Sequence, residues 1–395
     1  MPHNLELYQI LLDHIRRAPQ QRISFAKFME LALYHPHHGY YASQDAIIGP
    51  SGDFITAPHL GHDFGELLAV QFADMWESLD RPSPFNLVEM GAGQGLIATD
   101  VLNYLKSSYP DCFQTLRYWI VEKSGALQSH QQTRLAPWQD HLRWATFAEL
   151  PEELIGCFFS NELVDALPVH QVMRTPSGLQ EIYVATAGDD SGTSGGFIEI
   201  IDDLSTPELA TYFDFIGVNL LAPDYAEGYR TEVNLAALDW LAAVAAKLKR
   251  GFVLTIDYGY PASRYYNRVR SRGTLQCYYQ HAHHDDPYVH VGHQDITAHV
   301  DFTALERQGD RCGLKTLGHT QQAMFLMALG LGDRLTALSQ IQETDSQTVN
   351  AAIRRRDALH QLINPMGMGN FGVLAQAKGV TPSVALKGFT IPPLF

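Results

Sequence analysis

Cysteine is scarce in this sequence, and its cysteines have no spacing typical of a metal site. The four residues Cys112, Cys157, Cys277 and Cys312 form no C-x-x-C pair. This pattern argues against a disulfide framework and against a cysteine zinc site, and it favours a reducing compartment.

Long apolar runs are also missing. A membrane-spanning helix needs about 18 consecutive apolar residues, and no stretch of the sequence supplies them. Residues 1–17 carry Glu6 and Asp13 among their apolar positions and have no small-residue cleavage site, so they predict a helix of the folded protein and not a signal peptide. We therefore expect no membrane partner.

Basic residues are outnumbered by acidic ones. The 28 Lys and Arg residues stand against 43 Asp and Glu residues, which gives a formal net charge of −15. Such a surface disfavours nucleic acid as a partner, because nucleic-acid binding needs clustered positive charge. It would suit a basic peptide or an arginine side chain, although acidity also simply aids solubility.

The chain of 395 residues is long enough for a core domain with additions. Residues 1–80 look helical and irregular, and we treat them as an N-terminal helical and lid region. Residues 81–168 and 230–395 are predicted to form the core. Residues 169–229 begin with two β-rich stretches separated by the Thr175 to Gly178 turn, and this pattern predicts an inserted antiparallel and helical element.

Short apolar strands alternate with helical stretches in the predicted core. The predicted strands cover 86–90, 118–121, 142–147, 157–160, 252–256 and 297–302, and the predicted helices cover 96–105, 126–135 and 235–248. Alternation of this kind predicts an α/β fold with a parallel, doubly wound sheet.

A glycine-rich turn joins the first of these strands to its helix. It contains Gly91, Gly93 and Gly95, and Glu89 precedes the first glycine by two positions. Glycines let a ligand lie against the backbone, and the helix start offers N–H groups. A dinucleotide fingerprint is G-x-G-x-x-G, but Leu96 stands where its third glycine would fall. The spacing found here, with its preceding acid, is the methyltransferase form, although an ordinary βα turn remains an alternative.

An acidic residue, Glu122, ends the next predicted strand. A carboxylate in this position can accept hydrogen bonds from both hydroxyls of a ribose. A solvated carboxylate at a strand end is the plain alternative. Glu89 and Glu122 in this order favour a ligand that contains a nucleoside.

The segment from Asn161 to Pro168 follows the fourth predicted strand. Its carboxylates Glu162 and Asp165 are three residues apart and would face one cavity if the turn were helical. Paired carboxylates can bind a guanidinium group in bidentate fashion. Acids at a helix N-terminus are equally well explained by the helix dipole.

Two further segments admit both a functional and a structural interpretation. The loop that contains Gly52, Asp53 and Thr56 could close over a ligand, or it could be an ordinary turn. The histidine-rich tract at 281–299 matches no metal-binding pattern, so we expect a polar loop and no metal.

Taken together, these motifs resemble one family. The chain resembles the MidA-like class I methyltransferases, which use S-adenosylmethionine and include the mitochondrial complex I assembly-factor enzyme that methylates a protein arginine. The segments that carry the resemblance are 38–41, 52–58, 64–66, 89–95, 161–168, 257–259, 273–275, 292–302 and 366–371.

The resemblance implies a Rossmann-like class I methyltransferase sheet with an N-terminal helical region and an inserted α+β substrate region. It implies that S-adenosyl-L-methionine is the cofactor and that an arginine-bearing protein is the substrate. The cofactor-binding residues it implies are Gly52, Asp53, Thr56, Glu89, Gly91, Gly93, Gly95 and Glu122. The residues we expect to act on the acceptor are Asn161, Glu162, Asp165 and Asp257.

The sequence departs from the family pattern at two positions. Ala92 replaces a common proline, which the turn should tolerate, and His59 replaces a common glutamate, which leaves the acceptor open. Residues 1–17 also lack the features of a mitochondrial presequence, so we expect a cytoplasmic location.

Two other functions remain open on the sequence alone. One is a nucleotide-dependent oxidoreductase, which the missing third glycine disfavours. The other is an assembly or scaffolding factor that binds its cofactor only structurally. The apolar residues 323–329 fit either a homodimer surface or core packing.

Overall fold

Helices and strands alternate along most of the chain. The computed structural model describes residues 3–42, 56–187, 196–280, 282–340, 345–381 and 384–391. The α-helices in these ranges are α1 Leu5–Arg17, α2 Phe25–Tyr34, α3 Asp63–Ser78, α4 Leu96–Ser108, α5 Pro110–Thr115, α6 Gly125–Arg134, α7 Pro207–Ile216, α8 Leu235–Lys247, α9 Ala262–Tyr265, α10 Phe302–Arg311, α11 Gln322–Ala328, α12 Leu331–Ser339 and α13 Ser346–Leu362.

Most of the strands are short. They are β1 Arg22–Ser24, β2 Phe85–Met90, β3 Leu116–Val121, β4 Leu142–Ala145, β5 Leu154–Asn161, β6 His170–Thr175, β7 Gly178–Thr186, β8 Phe197–Asp202, β9 Arg230–Val233, β10 Leu248–Asp257, β11 Gly259–Tyr260, β12 Gln276–Tyr279, β13 Ala282–His284, β14 Asp295–Thr297, β15 Val300–Asp301, β16 Lys315–Gln321 and β17 Gly372–Lys378.

The chain divides into two units, each built from separate stretches of sequence. The parallel-sheet unit comprises Ile55–Leu163, Ala242–Tyr258 and Gly309–Phe395. The antiparallel-sheet unit comprises Met1–Phe54, Val164–Leu241 and Gly259–Gln308.

This division differs from the predicted boundaries at residues 80, 168 and 230. The physical reason is strand pairing over long sequence distances. Strand β1 pairs antiparallel with β7, so the helices that flank β1 belong with the predicted insert. Helix α3 instead packs within the parallel-sheet unit, where the rings of Phe72 and Phe159 are 4.8 Å apart.

A seven-stranded sheet forms the centre of the parallel-sheet unit. Its strand order is β16-β17-β10-β5-β2-β3-β4. Strands β10, β5, β2, β3 and β4 are parallel neighbours, whereas β17 runs antiparallel to both β10 and β16. The predicted doubly wound α/β sheet is therefore present, with two C-terminal strands at one end.

The parallel strands are buried because they are almost continuously apolar. All six residues of β2 are buried, and so are the last seven residues of β10. Such runs are typical of strands that are covered on both faces. Helix α11 contributes Phe325 and Leu326 to the same core, so core packing explains the apolar character of residues 323–329.

The predicted hairpin between β6 and β7 is confirmed. Thr175 and Gly178 pair across its turn, and the sheet continues through β9 on one side and β1 and β8 on the other. Helix α1 begins where Asn4 accepts the Leu7 N–H, and it buries Leu7, Leu11, Leu12 and Ile15 along one stripe.

The single strand predicted at 297–302 is wrong. Strands β14 and β15 are separated by Ala298 and His299, and helix α10 begins at Phe302. The ladder is interrupted because the Ala298 N–H donates to the Asp165 carbonyl and the His299 N–H donates to the Thr274 hydroxyl.

Gly156 marks a close approach between the backbones of β5 and β2. Its φ is +149°, and a Cβ added there would lie 1.8 Å from the Asn86 carbonyl oxygen. No side chain can occupy this position unless the sheet separates. Gly61 has nearly the same φ, +148°, but an added Cβ there would meet no described atom within 4 Å.

We therefore expect Gly156→Ala to destabilise the protein far more than Gly61→Ala. Both variants carry backbone strain of roughly 1–3 kcal/mol, but only Gly156→Ala adds a clash, and its total loss should exceed about 4 kcal/mol. Urea unfolding of both variants measures the difference. Equal losses would mean that strain alone accounts for the glycine at 156.

Candidate functional site

The order of strands reverses direction between β2 and β5. From β2 the chain continues outward through β3 and β4, whereas β5 and β10 lie on the other side of β2. In doubly wound sheets a crevice opens at such a point, beyond the carboxyl ends of the strands, and ligands bind there. The candidate site is therefore the edge formed by residues that follow β2, β3, β5 and β10.

The glycine turn follows β2 at this edge. Gly91, Gly93 and Gly95 have φ of +73°, +52° and +75°, and Gly95 caps α4. A Cβ added to Gly91 would lie 2.8 Å from Leu163 Cδ1, so the loop after β5 requires glycine at position 91. A Cβ added to Gly93 would meet no described atom within 4 Å, which leaves its backbone open to a ligand.

Glu89 lies in β2, two residues before Gly91, and is 2% exposed. Its Oε2 accepts a hydrogen bond of 2.7 Å from the Tyr118 hydroxyl. Burial raises the pKa of Glu89 to about 7; the Tyr118 hydrogen bond opposes that rise, and the nearby Glu122 adds to it. Glu89 is therefore a carboxylate that a neighbouring positive charge would ionise.

Glu122 follows β3, and its carboxylate accepts hydrogen bonds from several protein donors. Oε1 accepts the Ser124 N–H at 2.9 Å, and Oε2 accepts the Gln131 amide at 3.2 Å. Burial raises the pKa of Glu122, and these donors oppose the rise. The Lys123 backbone N–H also donates to this carboxylate. Because an ionised carboxylate has about four acceptor positions, Glu122 can still accept a hydrogen bond from a ligand.

Asp257, at the end of β10, anchors the loop that follows β5. Its carboxylate is fully buried and accepts the Leu163 N–H at 3.2 Å and the Tyr258 N–H at 2.9 Å. The Glu162 N–H donates to the Ile256 carbonyl. Asp257 therefore holds in place the same Leu163 that contacts Gly91.

The segment after β5 is not a helix, so the condition under which Glu162 and Asp165 would face one cavity is not met. Glu162 adopts a φ of +50°, and residues 162–168 form bends and turns. The reason is that Glu162 and Leu163 donate their N–H groups to β10 and Asp257, not to the preceding turn. Asn161 Nδ2 donates to Glu162 Oε1 at 3.2 Å.

Two buried polar atoms at the end of β5 lack a hydrogen-bond partner among the described residues. They are Ser160 Oγ and Asn161 Oδ1. Buried polar groups are rarely left unsatisfied, because each one costs free energy. Their location at the carboxyl edge fits a ligand that brings its own polar groups.

The remaining predicted residues lie in different parts of the molecule. Asp165 belongs to the antiparallel-sheet unit, where it is 4% exposed. Gly52 and Asp53 lie outside the described residues. Thr56 belongs to the parallel-sheet unit, and its Oγ1 is hydrogen-bonded to His59 Nδ1 at 2.7 Å.

His59, the residue that departs from the family pattern, lies beside the glycine turn. Burial lowers the pKa of His59, and hydrogen bonds with Gln94 and Thr56 oppose that change. A neutral imidazole therefore stands where a glutamate is common.

Sequence reasoning missed Tyr118 and Gln131. Tyr118 lies within a strand, so its apolar ring accounts for its position and gives no hint of the bond to Glu89. Gln131 lies on α6 among polar residues that look like a solvated face, yet it is the buried residue of that helix.

A group of potential metal ligands occurs away from the histidine tract. Within the described residues, ligand atoms of His62, Asp63 and Glu66 lie within 4.8 Å of one another. Arg334 and Arg355 already pair with these carboxylates, and Arg355 binds Asp63 through two hydrogen bonds of 2.7 and 2.8 Å. The arginines hold the pKa of Asp63 below its ordinary value against the effect of its burial, as expected of a structural ion-pair network.

Known proteins similar to this chain are methyltransferases. A protein-family model described as an S-adenosyl-L-methionine-dependent methyltransferase matches residues 67–320. The chain is 32% identical to a protein from Burkholderia thailandensis whose crystal structure contains S-adenosylhomocysteine; the TM-score is 0.84, and the match covers 98% of this chain and 96% of that one.

Mitochondrial relatives are similar over most of their length. The chain is 28% identical to the homologue of protein arginine methyltransferase NDUFAF7 in Drosophila melanogaster, over 91% of this chain and 82% of that protein. It is 29% identical to protein arginine methyltransferase NDUFAF7 of Mus musculus, over 80% of this chain and 72% of that protein.

These comparisons bear on the predicted location and on the oxidoreductase alternative. The predicted cytoplasmic location is contradicted, because the relatives from fly and mouse are mitochondrial proteins. The family match also weighs against the oxidoreductase alternative. Within the ranges that the structure describes, no helix is both long and apolar enough to cross a membrane.

The match to the family model covers more than half of the chain and agrees with the glycine turn and the strand order described above. The chain therefore belongs to this family of S-adenosyl-L-methionine-dependent methyltransferases and is an enzyme that uses S-adenosyl-L-methionine as its methyl donor.

Proposed function

We propose that this enzyme methylates an arginine side chain of a protein substrate. The observation that carries the proposal is the similarity to protein arginine methyltransferases, which extends over 80–91% of this chain in the fly and mouse relatives. The net charge of −15 supports it, because an acidic surface attracts a cationic acceptor.

Glu122 is proposed to bind the two ribose hydroxyls of the cofactor. Its place directly after β3, at the carboxyl edge of the sheet, supports this role, since a carboxylate there can accept hydrogen bonds from a vicinal diol. Gly91, Gly93 and Gly95 would let the cofactor lie against the backbone of the turn. By resemblance to the family, Thr56 would also contact it.

Glu89 is proposed to face the cationic amino end of the cofactor. A buried carboxyl group whose pKa is about 7 is only partly ionised at neutral pH. A nearby ammonium group favours the ionised form. Cofactor binding would therefore favour loss of the Glu89 proton, and the resulting carboxylate would pair with the ammonium group of the cofactor.

When bound, S-adenosyl-L-methionine supplies the methyl carbon, which bonds to the acceptor nitrogen while the carbon–sulfur bond breaks and its electron pair remains on sulfur. Glu162 is proposed to hold the acceptor guanidinium, and its carboxylate would accept the proton that the methylated nitrogen loses. Asn161 orients Glu162 through its 3.2 Å hydrogen bond, and Asp257 fixes the loop. Most of the rate enhancement would come from this positioning.

The cofactor assignment predicts a selective loss of affinity in Glu122→Ala. We expect calorimetric titration with S-adenosylhomocysteine to give a dissociation constant raised by at least about 30-fold, because hydrogen bonds to a charged group contribute roughly 1.5–3 kcal/mol each. Asp140→Ala, which removes an exposed carboxylate of the same unit, is the control. Unchanged affinity in Glu122→Ala would remove the ribose role.

The acceptor assignment predicts that Glu162→Gln separates binding from transfer. Its affinity for S-adenosylhomocysteine should stay within about threefold of wild type, while the methylation rate should fall at least about 100-fold, because a neutral amide attracts the guanidinium less and is no proton acceptor. Glu153→Gln, an exposed glutamate before β5, is the matched control.

The rate is measured with radiolabelled methyl donor and protein extract from cells that lack the enzyme. Acid hydrolysis should return the label as methylarginine. Label in methyllysine or methylhistidine would contradict the arginine acceptor, and normal transfer by Glu162→Gln would contradict the role of Glu162.

The raised pKa of Glu89 predicts a pH-dependent stability of the cofactor-free protein. The folded form binds the proton more tightly than the unfolded form, whose pKa is near 4.5, so this contribution is present below pH 4.5 and is lost as the pH rises to about 7. The loss is about 3 kcal/mol at 1.36 kcal/mol per pH unit.

Glu89→Gln should abolish this loss while weakening cofactor binding. Its free energy of unfolding minus that of wild type should therefore be about 2–3 kcal/mol larger at pH 8 than at pH 5. Urea unfolding at the two pH values measures it, with the exposed Glu227→Gln as control. A difference that does not depend on pH would show that Glu89 is ionised in the free protein.

A further inference from the structure

One buried amide links the glycine turn to Glu122. Gln131 is 0% exposed, and its Nε2 donates to the Gly93 carbonyl at 2.8 Å and to Glu122 Oε2 at 3.2 Å. Its Oε1 accepts the indole N–H of Trp144 at 3.0 Å. A single side chain thus connects the turn after β2, the acid after β3, and β4.

Trp144 fixes which way this amide points. An indole nitrogen can only donate a hydrogen bond, so the atom of Gln131 that faces it must be the carbonyl oxygen. The amide NH₂ group is then directed at Gly93 and Glu122, which both offer only acceptors. The orientation follows from the partners and needs no assumption about hydrogen positions.

The consequence concerns the part of the proposed cofactor site that would hold the nucleoside. Gln131 takes up one acceptor position of Oε2, just as Ser124 takes up one of Oε1. The carboxylate is thereby held from both sides, with an acceptor position left for a ligand. The same NH₂ group holds the Gly93 carbonyl, so this side chain bridges the turn and the acid, in addition to the backbone bond of 3.0 Å from the Gly91 N–H to the Val121 carbonyl.

Simple core packing does not require an amide at this position. Helix α6 buries Gln131, whereas its neighbour Gln132 is exposed. Burying an amide is costly unless its hydrogen bonds are satisfied. All of the Gln131 contacts named above lead to the glycine turn, to Glu122, or to the group that orients the amide.

We propose that Gln131 is a positioning residue that sets the distance between Glu122 and the glycine turn, and so determines affinity for the ribose of the cofactor. Trp144 acts with it by fixing the amide orientation. The inference rests on the proposed role of Glu122 as the ribose-binding carboxylate.

The test compares two ligands, S-adenosylhomocysteine and its 2′-deoxy analogue, by calorimetric titration of the full chain. Gln131→Met keeps the length of the side chain and removes both polar atoms. It should weaken S-adenosylhomocysteine binding about tenfold, the effect of one hydrogen bond to a charged group. Binding of the 2′-deoxy analogue, which has lost one of the two hydroxyl contacts, should weaken by less than about threefold.

Two further variants keep the test decisive if Gln131→Met folds poorly. Trp144→Phe leaves Gln131 in place but removes the N–H that orients it, and it should cause the same selective loss on a smaller scale. Gln132→Met is the matched control and should bind both ligands as wild type does. Thermal unfolding of each variant checks that the fold is retained at the titration temperature.

The outcomes separate this inference from the proposed function. Unchanged binding in Gln131→Met, or an equal loss of affinity for both ligands, overturns the inference about Gln131. If Glu122→Ala still binds S-adenosylhomocysteine more weakly than wild type, the ribose role of Glu122 stands. Unchanged binding in Glu122→Ala overturns the ribose role, and the inference with it. Selective loss in Gln131→Met and Trp144→Phe, together with a weakened Glu122→Ala, supports both.

Discussion

The buried carboxylate of Asp257 accepts the backbone N–H of Leu163, and the arrangement of the carboxyl edge depends on this contact. It holds the loop after β5 in a conformation that sends the Leu163 side chain against Gly91. The ends of β10, β5 and β2 are thereby tied together, although they come from three distant parts of the sequence. Glu162 directly precedes Leu163 in this loop, so its orientation depends on the hydrogen bond between Leu163 and Asp257.

Each unit contains a buried glutamate that accepts several hydrogen bonds from the protein, and the two differ in where they lie. In the antiparallel-sheet unit, Glu232 is buried on β9 and accepts hydrogen bonds from the Thr274 N–H at 2.8 Å, the Thr274 hydroxyl at 3.0 Å and the Tyr265 hydroxyl at 3.3 Å. Glu122 is also bonded by several protein donors, the Ser124 and Lys123 N–H groups and the Gln131 amide. It differs from Glu232 in its place at the carboxyl edge of the parallel sheet, where ligands bind in doubly wound folds.

Burying the carboxyl groups of Glu89 and Glu122 has a cost in stability. Glu89 and Glu122 are both desolvated, and burial raises the pKa of each. Burial leaves Glu89, with a pKa of about 7, partly protonated at neutral pH, whereas a nearby positive charge would favour its ionised form. Tyr118, Ser124 and Gln131 limit this cost by donating hydrogen bonds to the two carboxyl groups.

The sequence by itself determined the local elements of the site. A run of apolar residues followed by Gly91, Gly93 and Gly95 predicts a strand, a tight turn and a helix, because each depends on residues close together in the chain. Glu122 could be recognised for the same reason, since it ends the next strand.

Only the tertiary structure decided which distant residues meet. Neither Gln131 nor Tyr118 has a local pattern that reveals its partner, and the role of Asp257 depends on an N–H group 94 positions away. The non-helical loop at Glu162 and the pairing of β1 with β7 were likewise decided by hydrogen bonds between remote segments. Periodicity and turn chemistry describe a segment, whereas the contacts that orient a carboxylate depend on how segments pack.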